Sequence, residues 1–359
     1  MIKIQASVSK GWLHDNGGFT FPRQYYLDPL FRLEQDRKIN EFVAAKFPGL
    51  PVYSMEDNLV QAEHVNDRQV VVGAIQPNMI LAAMLGAEFS PFEDKDADVS
   101  GYPLEGIEDA GRLPAIDSLL DFPFIKELDA QVEKVRREHP QLEIIPPFFW
   151  DASGRATIHG IITTSLKLIG ENIMILMLAN PEFVHAVHQW ITDAYITVIR
   201  HYSSMCGLPV TSVHVGECSG PMLSGELYAE FVVPYLDQLG EKLGPIRIHS
   251  CGKSDHLVEA VARIKNLGII DTGSNTSLKK IRDMVGQEVE INTFPPMDIL
   301  LKGSPREKVE EWVETILAEN NGGDLKIAYH LESDYDPENC MMIHKMLEKK
   351  GLCKPERLY

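Results

Sequence analysis

Residues 210–252 read VTSVHVGECSG, then PMLSGELYAEFVVPYLDQLGEKLG, then PIRIHSCG. A β-rich run, Val210–Glu217, gives way to an amphipathic stretch over 224–244, and a second β-rich run, Ile246–Cys251, follows. A strand, a helix and a strand joined by short links make a unit whose two strands run parallel. The same texture extends outward. Further β-like runs lie at Leu142–Trp150, Gly268–Thr272, Glu288–Thr293 and Leu325–Glu332, with helices expected at 181–206, 254–266, 277–285, 304–320 and 337–350. Asn180-Pro181, Ser304-Pro305 and Asp336-Pro337 each set a capping side chain before a proline, a helix-start signal.

Repeated β/α units predict a parallel sheet, and 359 residues suit one (β/α)8 TIM-like barrel with an irregular N-terminal extension. We therefore read 1–359 as a single barrel domain, irregular over 1–140 and regular over 141–350. Helices are expected in the first part at Pro29–Lys46, Pro77–Leu85 and Asp117–His139, the last with a break near Pro123. Val70–Ile75 is a candidate strand, and Gly17-Gly18 a turn.

Parallel barrels place their chemistry at the C-terminal ends of the strands. The residues there are Asp151, Glu217 with Cys218, His249 with Cys251, Asp271, Asn292, and His330 with Glu332. His249 and Cys251 are two apart on a strand, so both face one side and can reach one ion, a nitrogen and a thiolate such as zinc prefers. A structural reading, a buried Cys beside a hydrogen-bonded His, stands next to it. A third ligand could be His330 or Cys340, and Glu217 could be a fourth ligand or a base; Cys218 alternates to the face opposite Glu217 and is set aside. Cys340 also reads as a core thiol beside Met341 and Met342. His185 and His188 share a helix face that reads as solvated or half-buried. Phe19, Phe21, Tyr25, Tyr26, Phe148, Phe149 and Trp150 are either core or pocket wall.

Composition narrows the partners. With 44% apolar and 24% charged residues the chain is globular rather than disordered. Its 52 acids against 34 bases leave a net −18, which repels nucleic acid and anionic membranes. Five cysteines are too few and odd in number for a disulfide framework. The start lacks a basic and apolar leader pattern, and the longest apolar stretch, Ile158–Leu178, is interrupted by His159, Lys167, Glu171 and Asn172. A cytoplasmic protein is expected. No G-x-G-x-x-G, Walker or G-x-S-x-G motif occurs.

Asp151–Gly160 (DASGRATIHG), Leu168–Glu171 (LIGE), Asn180–His185 (NPEFVH), Leu223–Tyr235 (LSGELYAEFVVPY), His249–Gly252 (HSCG) and Asp336–Asn339 (DPEN) together resemble the uroporphyrinogen decarboxylase superfamily. His249-Ser-Cys-Gly252 is similar to the mark of its zinc-dependent, corrinoid methyltransferase branch. The resemblance implies a barrel with Zn2+ held by His249, Cys251 and a ligand on the last strand, where His330 stands in place of the Cys of thiol methyltransferases. A His-Cys-His shell is a stronger Lewis acid than one with two thiolates, which suits an ether methyl donor. The implied activity is transfer of a methyl group from a small methylated substrate, such as an aryl methyl ether, to cobalamin carried by a corrinoid partner protein. Asp151 and Asn292 would line the pocket and Glu217 would act as ligand or base. Transfer from the methyl-corrinoid to a thiol such as coenzyme M or homocysteine is the alternative, and Cys340 as third ligand would favour it. Decarboxylation is a second alternative, disfavoured because the Arg-Gln-Ala-Gly-Arg substrate motif is not found and only Arg23, Arg32 and Arg37 lie near the start. A homodimer is left open.

Overall fold

The computed structural model describes residues 2–48, 52, 68–149 and 152–353. Its strands are β1 (Lys3–Val8), β2 (Gln69–Val71), β3 (Glu88–Ser90), β4 (Asp98–Ser100), β5 (Glu143–Ile145), β6 (Arg155–His159), β7 (Ser212–Gly216), β8 (Ile246–Ser250), β9 (Leu267–Thr272), β10 (Glu290–Thr293) and β11 (Leu325–Leu331). Seven of them form one parallel sheet in the order β1-β11-β10-β9-β8-β7-β6. Successive strands are neighbours and the first lies beside the last, which is the connectivity of a TIM-like (β/α) barrel. The ladder joins seven strands among the described residues rather than eight, because β2 pairs in parallel with β5 instead of bridging β1 and β6. β3 and β4 form an antiparallel pair.

Each sheet strand alternates. Ile4, Ala6 and Val8 of β1, Ala156 and Ile158 of β6, Val213 and Val215 of β7, Ile246 and Ile248 of β8, and Leu325, Ile327 and Leu331 of β11 are buried in the core. Successive side chains point to opposite faces, so this apolar set is the face on which the helices pack. The other face turns inward and carries Gln5, Ser7, Thr157, His214, Arg247, Asp271, Asn292 and Lys326, all buried. Branched aliphatic layers fill most barrels of this kind. Here the interior is polar, and buried polar groups must find partners within it.

Several helices match their sequence signals. Pro29–Lys46 starts where Asp28 accepts from Leu30 and Phe31 N–H at 3.1 and 3.2 Å. Pro77–Met84, Pro181–Cys206, Leu278–Val285, Arg306–Asn320 and Pro337–Lys349 stand close to expectation. The 117–139 stretch breaks at Pro123, with a 3-10 turn before it and Pro123–Glu138 after it. Other expectations needed correction. The 224–244 helix is two, Gly225–Phe231 and Val233–Leu243, since Pro234 cannot continue the first ladder. The 254–266 helix shortens to a 3-10 turn and Val258–Val261. The Leu142–Trp150 run forms a strand only over Glu143–Ile145, stopped by Pro146-Pro147. β1 and β6 are strands in segments read as irregular or as motif. Ser304 donates to Asp298 O and does not cap the helix after it. Among the described residues no single helix is long and apolar enough to cross a membrane, and the apolar pair Ile161–Ile169 and Asn172–Ala179 bends by 108°.

His188 is fully buried, contrary to the half-exposed face expected of it. Its Nδ1 is 2.6 Å from Phe231 O, which joins the long helix to the Gly225–Phe231 helix. Burial, reinforced by His185 and opposed by the Phe231 carbonyl, pushes it down to about 4. Above its ordinary value both folded and unfolded forms are neutral. As pH falls from about 6.5 towards 4, the unfolded chain takes up a proton that the folded chain refuses, so stability drops by about 1.4 kcal/mol per unit from this residue. Urea denaturation at pH 5 and pH 7 should therefore show a smaller loss on acidification for His188→Asn, which keeps a donor towards Phe231 O, than for the unaltered protein. Equal losses would remove His188 from the acid response.

Candidate metal centre

The centre is assembled from the ends of β7, β8 and β9. The strand β7 ends at Gly216, and Glu217 N–H still donates to His249 O at 2.8 Å before the chain turns into Gly220–Met222. The Glu217 side chain is fully buried. Its Oε1 accepts from Thr163 N and Thr163 Oγ1, each at 3.1 Å, in the first turn of the Ile161–Ile169 helix. A Cβ on Gly160 would lie 2.1 Å from Glu217 Oε2, so a residue without a side chain is required there. Burial raises Glu217 to about 7 against the N–H groups of Thr163, Ile161 and Ile162, which hold it down. Thr163 Oγ1 also accepts from Ser219 N at 3.0 Å. Residues 217 and 219 are thus both pinned to one threonine, and this fixes Cys218 between them.

On β8, His249 Nε2 lies 3.1 Å from Cys251 Sγ, and Cys251 Sγ lies 3.3 Å from Cys218 Sγ. One ligand atom from each of Cys218, His249 and Cys251 falls within 4.8 Å of the others. The loop carrying Cys251 is held by a close approach to the loop after β9, since a Cβ on Gly273 would come within 2.2 Å of Gly252 N. Behind the imidazole, His249 Nδ1 stands 3.3 Å from Asp271 Oδ1. Asp271 is buried at the end of β9 and accepts from Arg247 Nε at 3.1 Å and from Arg247 Nη2. Asn292, in register with Asp271, completes the set: oriented to satisfy both amide atoms, it accepts from Arg247 Nη2 at 2.9 Å and donates to Glu290 at 3.2 Å.

The electrostatics follow from this chain of contacts. Burial opposes a charge on Asp271, but the Arg247 and His249 cations hold its carboxyl far below the usual range. Burial likewise opposes a charge on His249, and Asp271 with Cys251 overrides it, raising the imidazole to about 10. The hydrogen bond from Cys218 lowers Cys251 to about 5 against burial, with His249 helping. The same bond, with burial, pushes Cys218 up. His159, at the end of β6, is depressed to about 4 by burial and then by the charges of His249 and Lys167.

Two sulfurs and one imidazole nitrogen, the ring held from behind by a carboxylate, make a zinc-type donor set with a carboxylate–histidine support. Of the residues expected from sequence, His249 and Cys251 are brought together. Glu217, His330 and Cys340 stand outside the group. Glu217 is engaged by the helix N-terminus. His330 Nε2 lies 3.3 Å from Glu332, whose other oxygen accepts from Ser9. Cys340 is fully buried in the Pro337–Lys349 helix, its thiol pushed up to about 12 by burial. Asp151 and Trp150 lie outside the described residues. Cys218, set aside on strand alternation, is the third member: alternation ends with the strand at Gly216, and the turn carries its sulfur to Cys251. Asp271 was visible at a strand end without a role, and Arg247 and His159 had no signal beyond their strand positions. Phe21, Tyr25, Tyr26, Phe148 and Phe149 are buried core.

The fold and site define a parallel (β/α)-barrel protein with a Cys2His metal-capable group at the C-terminal strand ends. Residues 71–328 match the uroporphyrinogen decarboxylase (URO-D) family, and the chain belongs to that family. Among solved structures, a methyltransferase from Methanosarcina mazei superposes with a TM-score of 0.64 at 14% identity, over 98% of this chain and 94% of that one. The likeness extends the shared fold over nearly the whole chain, including the part before residue 71. No curated protein sequence matches.

Asp271→Asn keeps the side-chain shape and removes the charge. Loss of such a support lowers metal affinity by about 10- to 100-fold. The variant is expected to surrender zinc to a chelating dye that much more readily, and to unfold at lower urea because the Arg247 cation is left buried without its counter-charge. Unaltered zinc competition would mean that Asp271 does not support the ring.

Proposed function

We propose that the chain is a zinc-dependent methyltransferase that exchanges a methyl group between a corrinoid protein and a small molecule. The observation that carries this is the Cys218–His249–Cys251 group at the barrel mouth. Membership of the URO-D family and the methyltransferase name of the Methanosarcina mazei neighbour support it. Zinc in such a set would supply a Lewis acid at an open fourth position, able to lower the pKa of a bound thiol.

The residues of the chain set the remaining conditions. Asp271 fixes the ring so that Nε2, rather than Nδ1, faces the two sulfurs. Cys251 is drawn towards thiolate by Cys218 and His249. Thr163 pins the turn that presents Cys218. All five cysteines are free, and a working dithiol centre calls for a reducing compartment such as the cytoplasm.

The second thiol changes the favoured direction of transfer. A His-Cys-His shell with His330 would have argued for polarising an ether oxygen. Two thiolates donate more charge, and the metal becomes a softer acid suited to presenting a nucleophilic thiolate. Transfer from the partner's methyl-corrinoid to a small thiol is therefore the reading we adopt, ahead of aryl ether O-demethylation. Decarboxylation fares worse, because Arg247 is committed to Asp271 rather than held out for a polycarboxylate.

Metal analysis of the purified protein tests this directly. One zinc per chain is expected in the unaltered protein, in His330→Ala and in Cys340→Ala, and a loss of most of it in Cys218→Ser, Cys251→Ser and His249→Ala. With free methylcobalamin as donor, demethylation is expected to require an added small thiol. Zinc-free protein, or retention of zinc in Cys218→Ser, would overturn the assignment of the centre.

A further inference from the structure

His159 and His249 occupy one register row of the sheet. His159 pairs with Gly216, and Gly216 pairs with His249, so the two histidines stand on the same inward face with only a glycine between them. Two strand spacings separate their backbones by about 10 Å, and in a barrel the inward side chains converge. The glycine leaves that interval open. A Cβ on Gly216 would meet only Ile158 O, at 3.6 Å, an ordinary contact. Neither packing nor backbone conformation demands a glycine there, since its φ is not in the left-handed region. Below the notch sits the His214 ring, 6.1 Å from that of His249. Above it, past the ends of β7 and β8, stand Cys218 and Cys251.

His159 is set up to serve this notch. Its Nδ1 is sealed from solvent and has no hydrogen-bond partner among the described residues. A neutral imidazole carries one N–H. A proton on the sealed Nδ1 would leave a buried donor unmade, while a proton on Nε2 can be satisfied from the notch. The geometry points to a substrate subsite above Gly216, in which His159 Nε2–H donates to the sulfur of a small thiolate presented to the Cys218–His249–Cys251 centre. This deepens the methyltransferase reading and rests on it. His159 is here a substrate-binding residue, not a metal ligand, since it stands outside the ligand group.

The test uses the full-length protein loaded with Co(II) in place of zinc and titrated with 2-mercaptoethanol, reading the sulfur-to-cobalt charge-transfer band. His159→Ala and Gly216→Ala should bind one Co(II) as tightly as the unaltered protein. Both should bind the thiol about tenfold or more weakly, the first through loss of a charge-assisted hydrogen bond and the second through filling the notch. His159→Gln, which restores an N–H donor, should recover part of the affinity. Unchanged thiol affinity in both alanine variants, with Co(II) bound, would overturn the subsite alone. Loss of Co(II) from His159→Ala would make His159 a ligand and overturn the subsite too. Failure of the unaltered protein to bind Co(II) would remove the metal centre, and this inference with it.

Discussion

Asp271 is the charge around which the inside of this barrel is arranged. An isolated carboxylate with 2% exposure would not stay ionised, because the cost of taking it out of water is several kcal/mol even after relaxation. It is kept by contacts on two sides, the Arg247 fork and the His249 ring. Arg247 in turn leans on Asn292, and His249 passes the influence on to Cys251 and so to Cys218. The arrangement is a short relay that begins with a structural ion pair and ends at two adjoining sulfurs, one drawn towards thiolate and the other away from it. It also explains why the strands can carry polar residues on their inner face. The buried Arg247–Asp271 pair spans adjacent strands, and the apolar residues on the opposite face build the outer core.

Glu217 shows how strongly local context decides a role. By type and position it is a good ligand or base, and it directly precedes one of the sulfurs. Its burial against the Ile161–Ile169 helix, allowed by the missing side chain at Gly160, commits it to backbone and hydroxyl donors instead. The carboxylate becomes a peg that holds the turn. What joins His249 and Cys251 is its neighbour, Cys218, and a donor set with two thiols has a different chemical temper from one with two imidazoles.

The sequence carried the architecture well where its signals were local. Proline after a capping side chain marked three helix starts, and two of those caps, Asn180 and Asp336, make the bond expected of them. The run from Val210 to Cys251 resolved into a strand, helical chain and a strand in the order read, with the single expected helix divided in two at Pro234. His249 and Cys251 were paired on period-two alternation, and the two side chains do come together, although Cys251 stands one residue past the end of β8. The same rule misplaced Cys218, because it was applied two residues past the strand end, where the turn geometry is set by Thr163, a residue 55 positions away in the chain. Asp271 was legible as a strand-end acid but not as the partner of His249, since that pairing depends on the register of β8 with β9. β1 was missed for a similar reason: KIQASV alternates towards a polar interior, and a polar interior is not what a barrel strand ordinarily faces.

The placing of β1 beside β11 has a consequence for the order in which the molecule can be made. Lys3 is matched with Lys326, so β1 has its partner more than 300 residues later in the chain. Loop closure over some 320 residues costs only modestly more entropy than closure over a tenth of that length. The delay is the larger burden, since an unpaired strand edge stays available for wrong pairing until its mate appears. During synthesis the arc from β6 to β10 can assemble from neighbouring units, while the KIQASV edge waits in the nascent chain. Completion of the sheet thereby waits on the synthesis of β11. A chain cut short before Leu325 has no seat for its own beginning.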